Sequence, residues 1–244
     1  MKSLVRVRAV VAAVACVAVL GATQPAGADD RGRSDSASEL SRLAQEQTNL
    51  LLTFYDGQNA SPLPCGRGQG SDGVRGVFLL PVLAFSSGDR TLRCTTRAGS
   101  VLVDLGGFAI TEDDRFPDSF YELNGRPKPF TRRNLERICD DLIERGAFGE
   151  GAPATVDGRE LTGGTLLDSG VFTARVSRQA QIPDGADLYA DSVDLGHPGR
   201  LATVFCGVKA KVHLSPGSHT IVVDYGIPPS TVFTYRITVK GGRG

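Results

Sequence analysis

Val204-Phe205-Cys206-Gly207-Val208-Lys209-Ala210-Lys211-Val212-His213-Leu214 is the stretch on which the fold turns. Its even positions are apolar, or Cys206, while Lys209, Lys211 and His213 fall on the odd ones. A period of two builds a strand with one dry face and one wet face. Ser215-Pro216-Gly217-Ser218 supplies a turn, and Ile221, Val223 and Tyr225 then continue the inward alternation. Phe233, Tyr235, Ile237 and Val239 line a last strand whose Thr234, Arg236 and Thr238 face out. Consecutive half-buried strands with tight turns predict a mainly β protein, an antiparallel β-sandwich.

Further toward the N-terminus, residues 171–177 read as another strand, and Asp157-Gly158 between 154–156 and 159–161 is a two-residue hairpin signal. A type I′ turn needs positive φ at both positions, which Asp and Gly tolerate. Two helices accompany the strands. Leu135, Ile138, Cys139, Leu142 and Ile143 recur at helical spacing before Gly146, which places Cys139 on a buried face and a helix near 132–145. Leu40, Leu43, Ala44, Leu51 and Phe54 do the same after a Ser36/Glu39 capping box, with Gly57 as the stop. Between them lie a Gly-, Pro- and Ser-rich loop at 59–76 and apolar runs at 77–84, 91–96 and 101–105 that read as strands.

The first 28 residues are of another kind. Lys2, Arg6 and Arg8 precede an apolar run over 9–20, and Ala26-Gly27-Ala28 is a small-x-small cleavage site. The run is far short of the roughly 20 residues that cross a hydrocarbon core, so a cleaved export signal is expected rather than an anchor. A lipidated Cys16, preceded by Ala13-Val14-Ala15, is the alternative, against which the apolar run continues past it. Removing the signal turns 27 basic and 27 acidic residues into 24 and 27, a net charge near −3. The cluster Arg126, Lys128, Arg132, Arg133 and Arg137 is followed by Asp140, Asp141 and Glu144, the pattern of a solvated helix face, so no nucleic-acid partner is expected.

Cys65, Cys94, Cys139 and Cys206 remain after processing, an even number in an oxidising compartment, and two disulfides follow. Four cysteines allow three connectivities, of which Cys94 with Cys139 and Cys65 with Cys206 is taken as the expectation. None of the cysteines or histidines stands at zinc-site spacing. The domain plan is a signal over 1–28, a flexible leader and N-terminal helix over 29–56, and a single disulfide-stapled β-sandwich domain over 57–240, with no repeat at a fixed period. Roughly 210 residues are ample for it.

Several strings in order resemble a family of secreted bacterial proteins, actinobacterial in type, of uncharacterised function. They are Cys65-Gly-Arg-Gly-Gln69, Gly76-Val-Phe-Leu-Leu80, Arg93-Cys94-Thr95 with Ala98-Gly99, Val156-Asp157-Gly158, Leu214-Ser-Pro-Gly-Ser-His-Thr-Ile221 and Tyr235-Arg-Ile-Thr-Val239. The family motifs are C-T-x-P-A-G and L-x-P-G-x-H-T-I; here Arg97 stands in the place of the proline, and the strand at 101–105 is less aromatic than the family's. The resemblance implies a secreted β-rich domain and brings no catalytic residue.

Chemistry has few candidates. Serine hydrolases present their nucleophile in G-x-S-x-G, which is absent, and the nearest string, at 68–73, lies in the Gly-rich loop. Of the three histidines, His219 follows a Pro-Gly turn whose carbonyls its ring could bond, His213 lies on the wet face, and His197 is in a loop. The acidic stretch with Glu112, Asp113, Asp114 and Asp118, and the group Asp184, Asp187, Asp191 and Asp194, offer the hard oxygens that calcium prefers, without EF-hand spacing. The chain has no Trp and few aromatics, which argues against the flat platforms that sugar-binding sandwiches present to sugar rings, with Tyr121, Tyr189 and Tyr225 as the exceptions. These features predict a non-enzymatic extracellular or cell-envelope binding module with an extracellular or cell-wall partner. The alternative is a secreted hydrolase of carbohydrate or cell wall, working through a carboxylate pair drawn from Glu112, Asp113 and Asp114.

Overall fold

The computed structural model describes residues 37–54, 65–81, 89–112, 131–176, 199–226 and 232–241. Among them the element order is α1 (Ala37–Phe54), β1 (Val77–Leu79), β2 (Arg90–Thr96), β3 (Ser100–Thr111), α2 (Arg132–Glu144), β4 (Ala154–Val156), β5 (Arg159–Glu160), β6 (Thr165–Asp168), β7 (Phe172–Val176), β8 (Gly199–His213), β9 (Gly217–Asp224) and β10 (Val232–Val239). The protein is mainly β with two helices. One sheet has the order β1-β3-β8-β6, with β7 also pairing β8; the second has the order β2-β10-β9-β4-β5. Most pairings are antiparallel, but β1 with β3 and β2 with β10 run parallel.

The two sheets close on a shared core. Val101, Val103, Val208 and Ala210 of the first meet Ile221, Val223, Tyr235 and Ile237 of the second. Sheet two covers only half of that face of β8. Over the other half lies α2, whose Leu135, Ile138 and Leu142 pack on Ala202 and Val204. The helix starts at an N-cap Thr131, which accepts from the Asn134 N–H. It ends in a Schellman arrangement, with Gly146 N–H on Ile143 O and Ala147 N–H on Leu142 O. Gly146 takes φ 67°, which costs a glycine little.

The opposite face of the first sheet is covered too, which corrects the sequence reading. Leu40, Leu43 and Ala44 of α1 pack on Leu79, Leu102, Leu167 and Phe205, while Leu52 meets Ala174 and Leu201. The odd positions of β8 from Leu201 to Lys211 therefore lie on the helix-covered face rather than in water. Lys209 is 1% exposed, Lys211 is 19% exposed and paired with Glu39 of α1 at 3.2 Å, and His213 beyond them is exposed. The Ser36 half of the expected capping box and Gly57 lie outside the described residues.

Lys209 keeps its charge partner inside the protein. Its register neighbour on β3 is Asp104, 2.5 Å from Nζ to Oδ2, and the ammonium also sits 3.9 Å from the centroid of the Phe205 ring. The other carboxylate oxygen accepts from the Gly106 N–H at 2.7 Å, where β3 bulges between Asp104 and Gly107. Burial pushes the Lys209 ammonium below its ordinary pKa, and Asp104 works against that shift.

The disulfides join Cys65 to Cys94 and Cys139 to Cys206, not Cys94 to Cys139 and Cys65 to Cys206 as expected. The reason is layering. Cys139 on the buried face of α2 looks onto Cys206 of β8, whereas Cys94 on β2 belongs to the core between the sheets, against which Cys65 packs. The Cα separations of 5.1 and 5.4 Å suit bridging. Loops of 29 and 67 residues correspond to about 3.6 and about 4.4 kcal/mol in the chain-entropy account. From the same Cys65 loop, Gln69 clamps β1: its Nε2 donates to Leu79 O at 2.6 Å and its Oε1 accepts from Leu79 N–H at 2.7 Å. A side-chain amide thus imitates a neighbouring strand along the outer edge of β1.

Candidate functional site

The groups that sequence reading offered for acid–base work are occupied by the fold. Asp157 and Gly158 form the expected turn between β4 and β5, both with positive φ. Asp157 Oδ1 accepts from the Thr220 N–H on β9 at 2.8 Å, and Oδ2 lies 2.7 Å from His219 Nδ1. His219 Nε2 is 2.8 Å from the Ser215 carbonyl, the expected turn contact. Both ring nitrogens face acceptors, which suits a doubly protonated imidazolium and leaves neither nitrogen free to take a proton. The hydrogen bond to Asp157 raises the His219 pKa, and the same bond, followed by the Thr220 N–H, lowers that of Asp157. The pair is a staple between β9 and the β4–β5 hairpin.

Glu112 is likewise committed, accepting from the Ala202 N–H at 2.6 Å while its own N–H donates to Ala202 O. The expected partners Asp113, Asp114 and Asp118 lie outside the described residues, as do Asp184, Asp187, Asp191 and Asp194, His197, Tyr121 and Tyr189. Tyr225 is no sugar platform: its hydroxyl donates to the Asp104 carbonyl and its ring meets Phe233 edge-on at 5.4 Å. His213 Nδ1 stands 3.5 Å from Ser100 Oγ, its cross-strand neighbour, at the outer limit of a hydrogen bond. Among the described residues no group of three or more His, Cys, Asp or Glu side chains is arranged to hold a metal, and no helix is long and apolar enough to cross a membrane. A cleft of about 230 Å³ between α1 and Arg75 mixes Glu39 and Glu46 with Arg42.

The outer face of the second sheet is different. Leu92 and Cys94 of β2, and Tyr235 and Ile237 of β10, point into the core, so the alternate side chains point out. In β2 these are Thr91, Arg93 and Thr95, with Arg97 next, all exposed. In β10 they are Thr234, Arg236 and Thr238, with Lys240 next, exposed apart from a half-buried Thr234. The two strands thus carry one pattern, T-x-R-x-T-x-R and T-x-R-x-T-x-K.

Parallel pairing brings the patterns into register, Thr91 beside Thr234, Arg93 beside Arg236 and Thr95 beside Thr238. The Lys240 N–H bonds Thr96 O, which extends the ladder a step and sets Lys240 level with Arg97. The result is a two-column ladder of alternating threonine and cation rungs. Strands stand about 4.8 Å apart and rise about 3.3 Å per residue, so successive cation rungs are about 13 Å apart. On β9 the neighbours of this ladder are neutral, Ser218 beside Thr238, Thr220 beside Arg236 and Val222 beside Thr234.

Among the described residues none of the four cationic groups has an ion-pair partner. Like charges directly opposite destabilise a sheet. Here two such rungs stand on a bare face. The strings are present in the sequence, but their 143-residue separation hides them until β2 and β10 are known to pair. No family model, curated protein or solved structure matches the chain.

Proposed function

We propose that this chain is a non-enzymatic extracellular or cell-envelope binding module whose ligand face is the outer surface of the second sheet. The observation that carries the reading is the in-register pairing of Arg93 with Arg236, like charges on an exposed face that have no ion-pair partner among the described residues. A ligand that bears negative charge converts that unfavourable contact into a favourable one. The export signal, the two disulfides and the resemblance to secreted bacterial proteins support the compartment. The commitment of His219, Asp157 and Glu112 to backbone and cross-strand contacts supports binding over catalysis.

The test is capture. Disulfide-intact protein incubated with cell-wall and culture-supernatant fractions should retain a stable partner, and an Arg93→Glu/Arg236→Glu variant of unchanged melting temperature should lose it. Failure to capture anything from either fraction contradicts the binding reading, and equal capture by the variant contradicts the face.

A further inference from the structure

Resting on that binding reading, we propose that the ligand is a carboxylate-bearing, hydroxyl-rich glycan, a uronate polymer lying along β2 and β10. Its carboxylates seat on the Arg93/Arg236 and Arg97/Lys240 rungs, and its intervening hydroxyls bond Thr95 and Thr238.

The charge spacing selects the class. Cation rungs about 13 Å apart, with a hydroxyl rung between them, ask for a polymer that offers carboxylates and hydroxyls by turns to one face, as a twisted uronate chain does: every ring carries both, and the twist aims only some of its carboxylates at the sheet. A DNA strand carries a phosphate about every 3.4 Å and no free sugar hydroxyl to meet the threonine rungs. Its bases also need aromatic stacking surfaces, whereas the outward positions here are Thr, Arg and Lys, and the aromatic Phe233 and Tyr235 of β10 face the core.

The side-chain chemistry points the same way. Three of the four cations are arginines, whose planar fork takes a carboxylate through two parallel hydrogen bonds. Threonine is β-branched and stiff at χ1, so its hydroxyl is held in place before a ligand arrives and loses little entropy on binding. A hydroxyl that both donates and accepts matches the equatorial hydroxyls of a sugar. Acidic peptides dock on sheets chiefly by adding a strand to an edge. The ladder offers side chains on a face instead, so what it reads is a chain of charged and hydroxylated rings.

Binding of the disulfide-intact chain to immobilised polygalacturonate, dextran and poly-L-glutamate tests the proposal. Polygalacturonate should bind and release as salt is raised from low ionic strength, because exposed charge contacts are screened. Dextran should not bind, and poly-L-glutamate should bind at least about tenfold more weakly, lacking the ring hydroxyls that the threonine rungs meet. Arg93→Ala/Arg236→Ala should lower polygalacturonate affinity by about tenfold or more, and Thr95→Val/Thr238→Val should lower it severalfold. Arg132→Ala/Arg133→Ala on α2, exposed and far in sequence from the ladder, should leave it unchanged.

Absence of polygalacturonate binding at low salt overturns the proposal, as does equal binding to poly-L-glutamate or indifference to the threonine substitutions. If envelope material is still captured through Arg93 and Arg236 while polygalacturonate fails, the ligand class falls and the binding face stands. If neither binds, both fall.

Discussion

Replacing Lys209 by Met should expose how much the fold depends on an ion pair that the sequence disguises as a surface charge. Lys209 and Asp104 are 1% and 6% exposed and in contact at 2.5 Å, so removing the cation leaves a carboxylate buried without its counter-charge. Breaking such a pair costs about 3–5 kcal/mol, while removing both charges is often neutral or stabilising. The partner change matters here, because Asp104 Oδ1 also accepts the Gly106 N–H at the β3 bulge. An apolar residue at 104 would strand that donor at about 1–3 kcal/mol; Asn keeps the acceptor. Lys209→Met should therefore lower stability by about 3–5 kcal/mol, a fall of about 6–20 °C in melting temperature for a chain of this size. Lys209→Met/Asp104→Asn should recover most of the loss. Urea unfolding with disulfides intact measures both, read as a shift of midpoint at constant slope. A single variant no worse than an ordinary surface substitution, or a double variant as unstable as the single, would refute the reasoning.

The His219–Asp157 staple gives a pH signature. His219 is held above its ordinary 6.5, so its contribution is whole below that value and fades as pH rises through the folded pKa; Asp157 is held below 3.8, so its share fades as pH falls through its folded value. Urea midpoints should show the wild type losing its advantage over His219→Ala as pH climbs from 6 toward 9; a constant gap would contradict the staple. Mass spectrometry of a non-reduced digest should recover the Cys65–Cys94 and Cys139–Cys206 peptides, and a Cys94–Cys139 peptide would contradict the layering. Gln69→Ala should speed amide exchange at Leu79 and lower stability by about 1–2 kcal/mol; unchanged exchange would mean that the amide clamp is not holding β1.

What the sequence made legible was period. The alternation at 204–214, the inward residues of β9 and β10, the spacing of Leu135, Ile138 and Leu142, and the Asp157-Gly158 turn are local signals, and each describes the element it sits in. What it hid was pairing. A strand that alternates apolar residues with Lys209 and Lys211 looks half-solvated, and only the placement of α1 on its second face shows otherwise. The disulfide connectivity depends on which layer each cysteine occupies, and periodicity places a residue on a face without saying what covers it. The ladder was the best hidden, since Thr91-x-Arg93-x-Thr95 and Thr234-x-Arg236-x-Thr238 are unremarkable apart. They become a site only because an early strand and the last one run parallel in register.

Arginine-directed chemical labelling of the protein, free and bound to its cell-wall fraction, tests the binding face most directly. Read by mass spectrometry, Arg93 and Arg236 should be protected in the bound state while Arg132 and Arg133 on α2 label as in the free protein. Equal labelling of Arg93 and Arg236 in both states, with the protein demonstrably bound, would contradict the assignment of the ligand face to the second sheet.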